Sequence, residues 1–157
     1  VPTDRKIEYG DVITIDMGCK YNGYCSDMTR TIFVGKVDEE VKNIYNLVLK
    51  NQMQTISEMK EGAVCKNIAK MVINDFEMNG YTLIHGLGHS VGLEVHEIPN
   101  LGAKSEVILK SNMAITDEPG IYIPGRFGIR IEDTVIIGKS TGVPLTKSSK
   151  EITIIEG

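Results

Sequence analysis

The chain has 157 residues, 41% of them hydrophobic and 24% charged, with a formal net charge of −4. That is one domain's worth of sequence, enough to bury roughly 68–70% of its unfolded surface, with the composition of an ordinary globular protein. The acidic balance and the lack of a Lys/Arg cluster exclude nucleic-acid binding as the main task, and no apolar run reaches the ~18–20 residues that cross a bilayer, so neither a nucleic-acid nor a membrane partner is expected.

Taken in chain order, Val12-Ile13-Thr14-Ile15 is a β-branched run ending in Asp16. Asn22-Gly23 is a hairpin signal, and residues 24–34 read as the return strand. A two-residue turn there sets Asp27 against Gly18, with Asp16 two residues away on the same face, within reach of a shared ion. The three cysteines, Cys19, Cys25 and Cys65, lack C-x-x-C spacing and read as reduced thiols of a cytoplasmic protein rather than a thiolate metal site.

From Asp38 the period becomes helical: Val41, Ile44, Tyr45, Val48, Leu49, Ile56 and Met59 form one stripe, with Asp38 as N-cap and Gly62 past the end. A second helix over 66–78 buries Ile68, Met71, Val72 and Phe76, and Gly80 stops it. Met53, Met59, Met71 and Met78 are read as core filling. After Gly80 strands and turns return, through the run 85–99 and then 113–116. Residues 121–123 and 128–137 read as two strands around Pro124-Gly125-Arg126, a turn centred midway between Glu118 and Glu132. Residues 139–149 read as loop and 152–155 as a last edge strand. Two hairpin units separated by two helices predict an α+β domain in which a curved antiparallel sheet carries the site and the helices pack on one face.

The chemistry concentrates in the acid pairs Asp16/Asp27 and Glu118/Glu132, with His89 between them. Two carboxylates ~4 Å apart repel by roughly 4 kcal/mol at an effective dielectric of ~20, so four of them converging demand cations. Two divalent ions balance the four charges, and an oxygen-rich set with one imidazole suits Mn²⁺, Co²⁺, Fe²⁺ or Zn²⁺. Such ions bring the pKa of water down from 15.7 toward ~7, which makes a hydrolase. All three histidines, His85, His89 and His96, fall within twelve residues. Gly86 and Gly88 argue against a helical zinc pair, and no phosphate-binding glycine pattern is present.

Five motifs, Ile15-Asp16-Met17-Gly18, Ser26-Asp27-Met28-Thr29-Arg30-Thr31, the string from His85 through His89 and His96 to Pro99, Glu118-Pro119-Gly120-Ile121-Tyr122, and Arg130-Ile131-Glu132-Asp133-Thr134, resemble the pita-bread (creatinase/aminopeptidase) metallopeptidases. The Gly88-His89-x-x-Gly92-Leu93-x-Val95-His96-Glu97 run is closest to their Xaa-Pro branch, the Xaa-Pro dipeptidases (prolidases) and Xaa-Pro aminopeptidases. The resemblance implies two divalent metal ions, with Mn ahead of Co, Zn or Fe. Asp16 would chelate one ion, Asp27 and Glu132 would bridge the two, and His89 and Glu118 would complete the other's shell. It further implies Glu118 as general base, with His85 and His96 positioning the substrate and stabilising the tetrahedral intermediate and Arg130 orienting groups beside the site. The implied substrate is an Xaa-Pro peptide.

Two features depart from that pattern. Asp117 stands where the family has an apolar residue, and strand alternation either turns it from the site or leaves it to perturb Glu118. A substrate-binding histidine, roughly seventeen residues before the first ligand Asp in the family, would fall before Val1. The polar lead-in from Val1 therefore reads as the start of the C-terminal catalytic portion of a longer enzyme, a single domain over 1–157, weakly active by itself and with faces that could form a homodimer. A non-catalytic pita-bread binding protein, a methionine aminopeptidase-type activity and creatinase-like chemistry are the alternatives.

Overall fold

The computed structural model describes residues 4–156, so the first three residues of the lead-in lie outside it. Asn22 and Gly23 both take positive φ, 48° and 89°, the left-handed pair that a two-residue hairpin turn requires. The turn joins β2 (Lys20–Tyr21) to β3 (Tyr24–Cys25), and its register runs on into β1 (Val12–Met17) and β4 (Met28–Val34), where Asp16 lies opposite Thr29. The return strand is not continuous over 24–34 as expected. It breaks at Ser26-Asp27, because the hairpin tip leaves the ladder to bond a distant loop, Cys25 N donating to the Gly92 carbonyl at 2.8 Å.

Helix α1 (Glu39–Glu58) starts after Asp38, as read from the sequence, but the Asp38 side chain makes no capping bond and pairs with Lys36 at 3.3 Å. Glu39 and Glu40 in its first turn offset the helix dipole instead. Its buried stripe is apolar through Val41, Ile44, Tyr45 and Val48, then turns polar at Asn51, Gln52 and Thr55. Helix α2 (Cys65–Met78) buries Ile68, Val72 and Phe76, and Gly80 follows at φ 82°. Of the four methionines read as core, Met59 is buried and Met71 packs at its edge, whereas Met53 and Met78 are exposed. Met53 falls off the 3.6-residue stripe and Met78 sits in the fraying last turn.

Strands β5 (Gly88–Ser90) and β6 (Glu97–Leu101) begin within the strand-and-turn run read over 85–99, with a loop at 91–96 and a bulge between His89 and Ser90. β7 (Ala114–Asp117) follows, then a second hairpin of β8 (Gly120–Ile123) and β9 (Phe127–Arg130) in which Gly120 faces Arg130 and Ile123 faces Phe127. Its return strand also breaks, at Ile131-Glu132, before β10 (Asp133–Ile137), because Glu132 exchanges backbone bonds with Thr29 of the first hairpin. The region read as loop contains an edge strand, β11 (Gly142–Pro144), on β10. β12 (Thr153–Ile155) runs parallel to β4.

The main sheets are three-stranded, β1-β4-β12, and five-stranded, β11-β10-β7-β5-β6, with β8-β9 as a separate ribbon. One apolar core ties the helices to them through Phe33, Tyr45, Val48, Phe76, Ile115 and Val135. Each fully buried side chain of this kind contributes ~1.5–3 kcal/mol relative to exposure. Among the described residues no helix is long and apolar enough to cross a membrane.

Candidate metal centre

The acids sit where strands stop. Asp16 is the penultimate residue of β1, Asp27 fills the break before β4, Glu118 follows β7, Glu132 precedes β10, and His89 is the middle of β5. Strand ends free the side chains from the ladder while their neighbours hold the backbone. Three donor groups result: Asp16/Asp27/Glu132, Asp27/His89/His96 and His89/Glu118/Glu132, each with donor atoms within 4.8 Å of one another. Asp27, His89 and Glu132 each belong to two groups, so the four acids and the His89 imidazole converge. His89 Nε2 lies 3.5 Å from Asp27 Oδ2 and 3.4 Å from Glu118 Oε1.

The electrostatics fit cations. Burial pushes the Glu132 carboxyl up to about 8, against the Thr29 hydroxyl bond that favours its ionised form. Burial followed by the Asp16 charge raises Asp27, and burial raises Glu118 against the opposing influence of His89. Divalent cations among these donors would stabilise the ionised acids and oppose those shifts. All donors are carboxylate oxygen or imidazole nitrogen, the chemistry of Mn²⁺, Fe²⁺, Co²⁺ and Zn²⁺ sites.

Neighbours fix each donor. His89 Nδ1 lies 3.1 Å from the Ser90 carbonyl and donates to it, which leaves the Nε2 lone pair facing the acids. The Thr116 hydroxyl accepts from His89 N at 3.0 Å and donates to Glu118 Oε1 at 3.3 Å. The Thr29 hydroxyl donates to Glu132 Oε2 at 2.6 Å and accepts from Arg130 Nε at 3.0 Å. Arg130 also donates to Asp16 Oδ2 at 2.5 Å and to the Tyr122 hydroxyl at 2.9 Å. The Tyr122 hydroxyl, its pKa raised by burial, donates in turn to His85 Nε2 at 2.9 Å, while His85 Nδ1 bonds the Gly86 carbonyl.

All the sequence-predicted residues are therefore gathered here: Asp16, Asp27, His85, His89, His96, Glu118, Arg130 and Glu132. His96, read as a substrate-facing group, is exposed, stacks 4.3 Å from the His89 ring, and shares a donor group with Asp27. A cleft of about 1490 Å³ opens onto Asp16, His85, His89, His96, Glu118 and Arg130, with Ile84 and Ile98 on its apolar wall. Sequence reading gave no role to Thr29, Thr116 or Tyr122. Tyr122 carried a signal, two alternating steps along the chain from Glu118. Asp117 is turned from Glu118 by strand alternation and lies opposite Asp133, fully buried, with neither carboxylate oxygen hydrogen-bonded among the described residues. Burial and then the Asp133 charge push its carboxyl well above the usual range. The cysteines are free, and among the described residues none joins a donor group.

Residues 1–139 match the family model described as metallopeptidase family M24. A Xaa-Pro dipeptidase of Pyrococcus furiosus is 45% identical over 155 residues, 97% of this chain and 44% of that protein. Among solved structures, a recombinant prolidase from Thermococcus sibiricus superposes with a TM-score of 0.95 at 40% identity, covering 99% of this chain and 43% of that one. An X-Pro aminopeptidase from Thermotoga maritima does so with a TM-score of 0.94 at 37% identity, over 98% and 44%. The chain thus spans less than half the length of the curated relatives it matches. Over the part it spans, its α+β architecture is the pita-bread fold of these structures.

Proposed function

The chain belongs to metallopeptidase family M24, and we propose that it carries the dinuclear metal site of a peptidase that hydrolyses the bond between an N-terminal residue and proline. The observation that carries this reading is the overlap of the donor groups through Asp27, His89 and Glu132. Shared donors are what a pair of adjacent ions needs, whereas one ion needs a single cluster. In this reading Asp16, Asp27, His89, Glu118 and Glu132 would hold two divalent ions, Mn²⁺ ahead of Co²⁺, Zn²⁺ or Fe²⁺. When bound, the ions supply Lewis acidity that brings a water proton within reach of a carboxylate near neutral pH.

The chain's own residues then divide the remaining tasks. Glu118, steadied by Thr116, accepts the proton from water and returns it to the leaving proline nitrogen. His96, exposed in the cleft beside His89, would position the substrate and stabilise the tetrahedral intermediate. The chain Arg130–Tyr122–His85 holds the other side of the cleft in one orientation and keeps Asp16 aimed at the site. The names of the relatives support Xaa-Pro dipeptides or longer Xaa-Pro peptides as substrates.

The test is proline-directed hydrolysis by the Mn²⁺- or Co²⁺-loaded protein in its longest natural form, with an Xaa-Pro dipeptide run against a longer Xaa-Pro peptide. Metal-stimulated cleavage that falls ~10²–10⁴-fold in Glu118→Gln is the expected result. A folded, metal-loaded sample that cleaves neither substrate would overturn the reading.

A further inference from the structure

Behind the candidate metal centre lies a second cluster of charge. Strand alternation sends Thr29 and Glu132 into the site and their neighbours Arg30 and Asp133 to the opposite face. There Arg30 and Asp133 are buried and paired at 2.7 Å. All five N–H donors of Arg30 are used: two on the carbonyls of Thr29 and Glu132, at 2.8 and 2.7 Å, one on Asp133, and two on the carbonyls of Ser148 and Ser149, each at 3.0 Å. The other Asp133 oxygen takes Lys150 Nζ at 2.5 Å and Gln52 Nε2 at 3.0 Å, and Lys150 also bonds Gln52 Oε1 at 2.9 Å.

Residues 148–150 thus form a strap across the back of the site. It is anchored before by Leu145 N on the Thr134 carbonyl, after by β12 on β4, and in the middle by the Tyr45 hydroxyl on the Lys150 carbonyl at 3.1 Å. Arg30 grips the Glu132 carbonyl, Thr29 grips its carboxylate, and the strap holds Arg30 and Asp133 in place.

We propose that Lys150, acting through Asp133 and Arg30 from the C-terminal strap, is a positioning residue that fixes Glu132 for metal binding. The proposal rests on the reading of Glu132 as a shared metal ligand. A carboxylate placed between two ions must meet both at once, so small rotations of its strand cost affinity at both. Lys150 lies outside every donor group and outside the cleft, so any effect on metal must pass through the backbone of residues 132–133.

The test is titration of Mn²⁺ into the chain, with the visible spectrum of the Co²⁺-loaded protein as a second readout and chelator-treated thermal melts for stability. Lys150→Met should weaken metal binding by ~10–100-fold, the scale set by groups that orient ligands, and should change the Co²⁺ bands. Lys150→Arg should restore most of both. Unaltered affinity and spectrum in folded Lys150→Met overturn the proposal. Where that variant does not fold, Tyr45→Phe decides, because it loosens the strap without burying a charge, and unaltered values there overturn the proposal equally. Glu132→Gln separates the two levels: its binding metal as tightly as the parent chain would defeat the ligand reading itself.

Discussion

Asp117 and Glu132 are both buried carboxyls raised by burial, yet they answer to different partners. Asp117 has no hydrogen-bond partner among the described residues, so its side chain subtracts from stability at neutral pH. Asp117→Val, close in volume and at home in a strand, should stabilise the chain by ~1–3 kcal/mol, seen as a higher denaturation midpoint at unchanged slope. A lower midpoint would show that Asp117 has a partner after all. Glu132 has metal as its prospective partner. Its folded pKa of about 8 lies above the ordinary 4.5, so without metal the native state holds a proton that the unfolded state has released. Stability of chelator-treated protein should therefore be fullest below about pH 4.5 and fall as pH rises toward 8. Added Mn²⁺ should flatten that decline, because the metal replaces the proton. A melting temperature that rises steadily over the same range without metal would contradict this assignment.

At the level of strands, the site depends on β5 lying close against β7. A Cβ on Gly88 would meet the Thr116 carbonyl oxygen at 1.9 Å, a clash with backbone that no side-chain rotation relieves. Gly88→Ala should cost roughly 1–3 kcal/mol and, by moving His89, weaken metal binding in the same protein. Normal metal affinity in that variant would mean His89 is not a ligand. Much of this arrangement was legible in advance. Asn22-Gly23 set the first register, and the second turn brought Glu118 and Glu132 to one place, because hairpin pairing is local and symmetric about its turn. The breaks at Asp27 and Glu132 were not legible. They arise where two hairpins a hundred residues apart exchange bonds, and no local pattern encodes that. The same distance hid Thr29, Arg30 and Lys150, whose partners belong to other elements. β11, short and ending in Pro144, carried too little strand pattern to stand out from its loop.

For the molecule as a whole, both helices and all the main strands share one core, and the candidate ligands come from both main sheets and their connections. Metal bound across these elements stabilises all of them at once. A free ion concentration of 100 Kd should add ~2.7 kcal/mol, and each kcal/mol raises Tm by about 2–4 °C in a domain of this size. The central claim is that these donors hold a pair of ions. It is tested most directly by calorimetric titration of the chelator-treated chain with Mn²⁺ near neutral pH. The account predicts two ions per chain, with both sites weakened by Glu132→Gln. A single ion per chain, or two that are indifferent to Glu132→Gln, would contradict it.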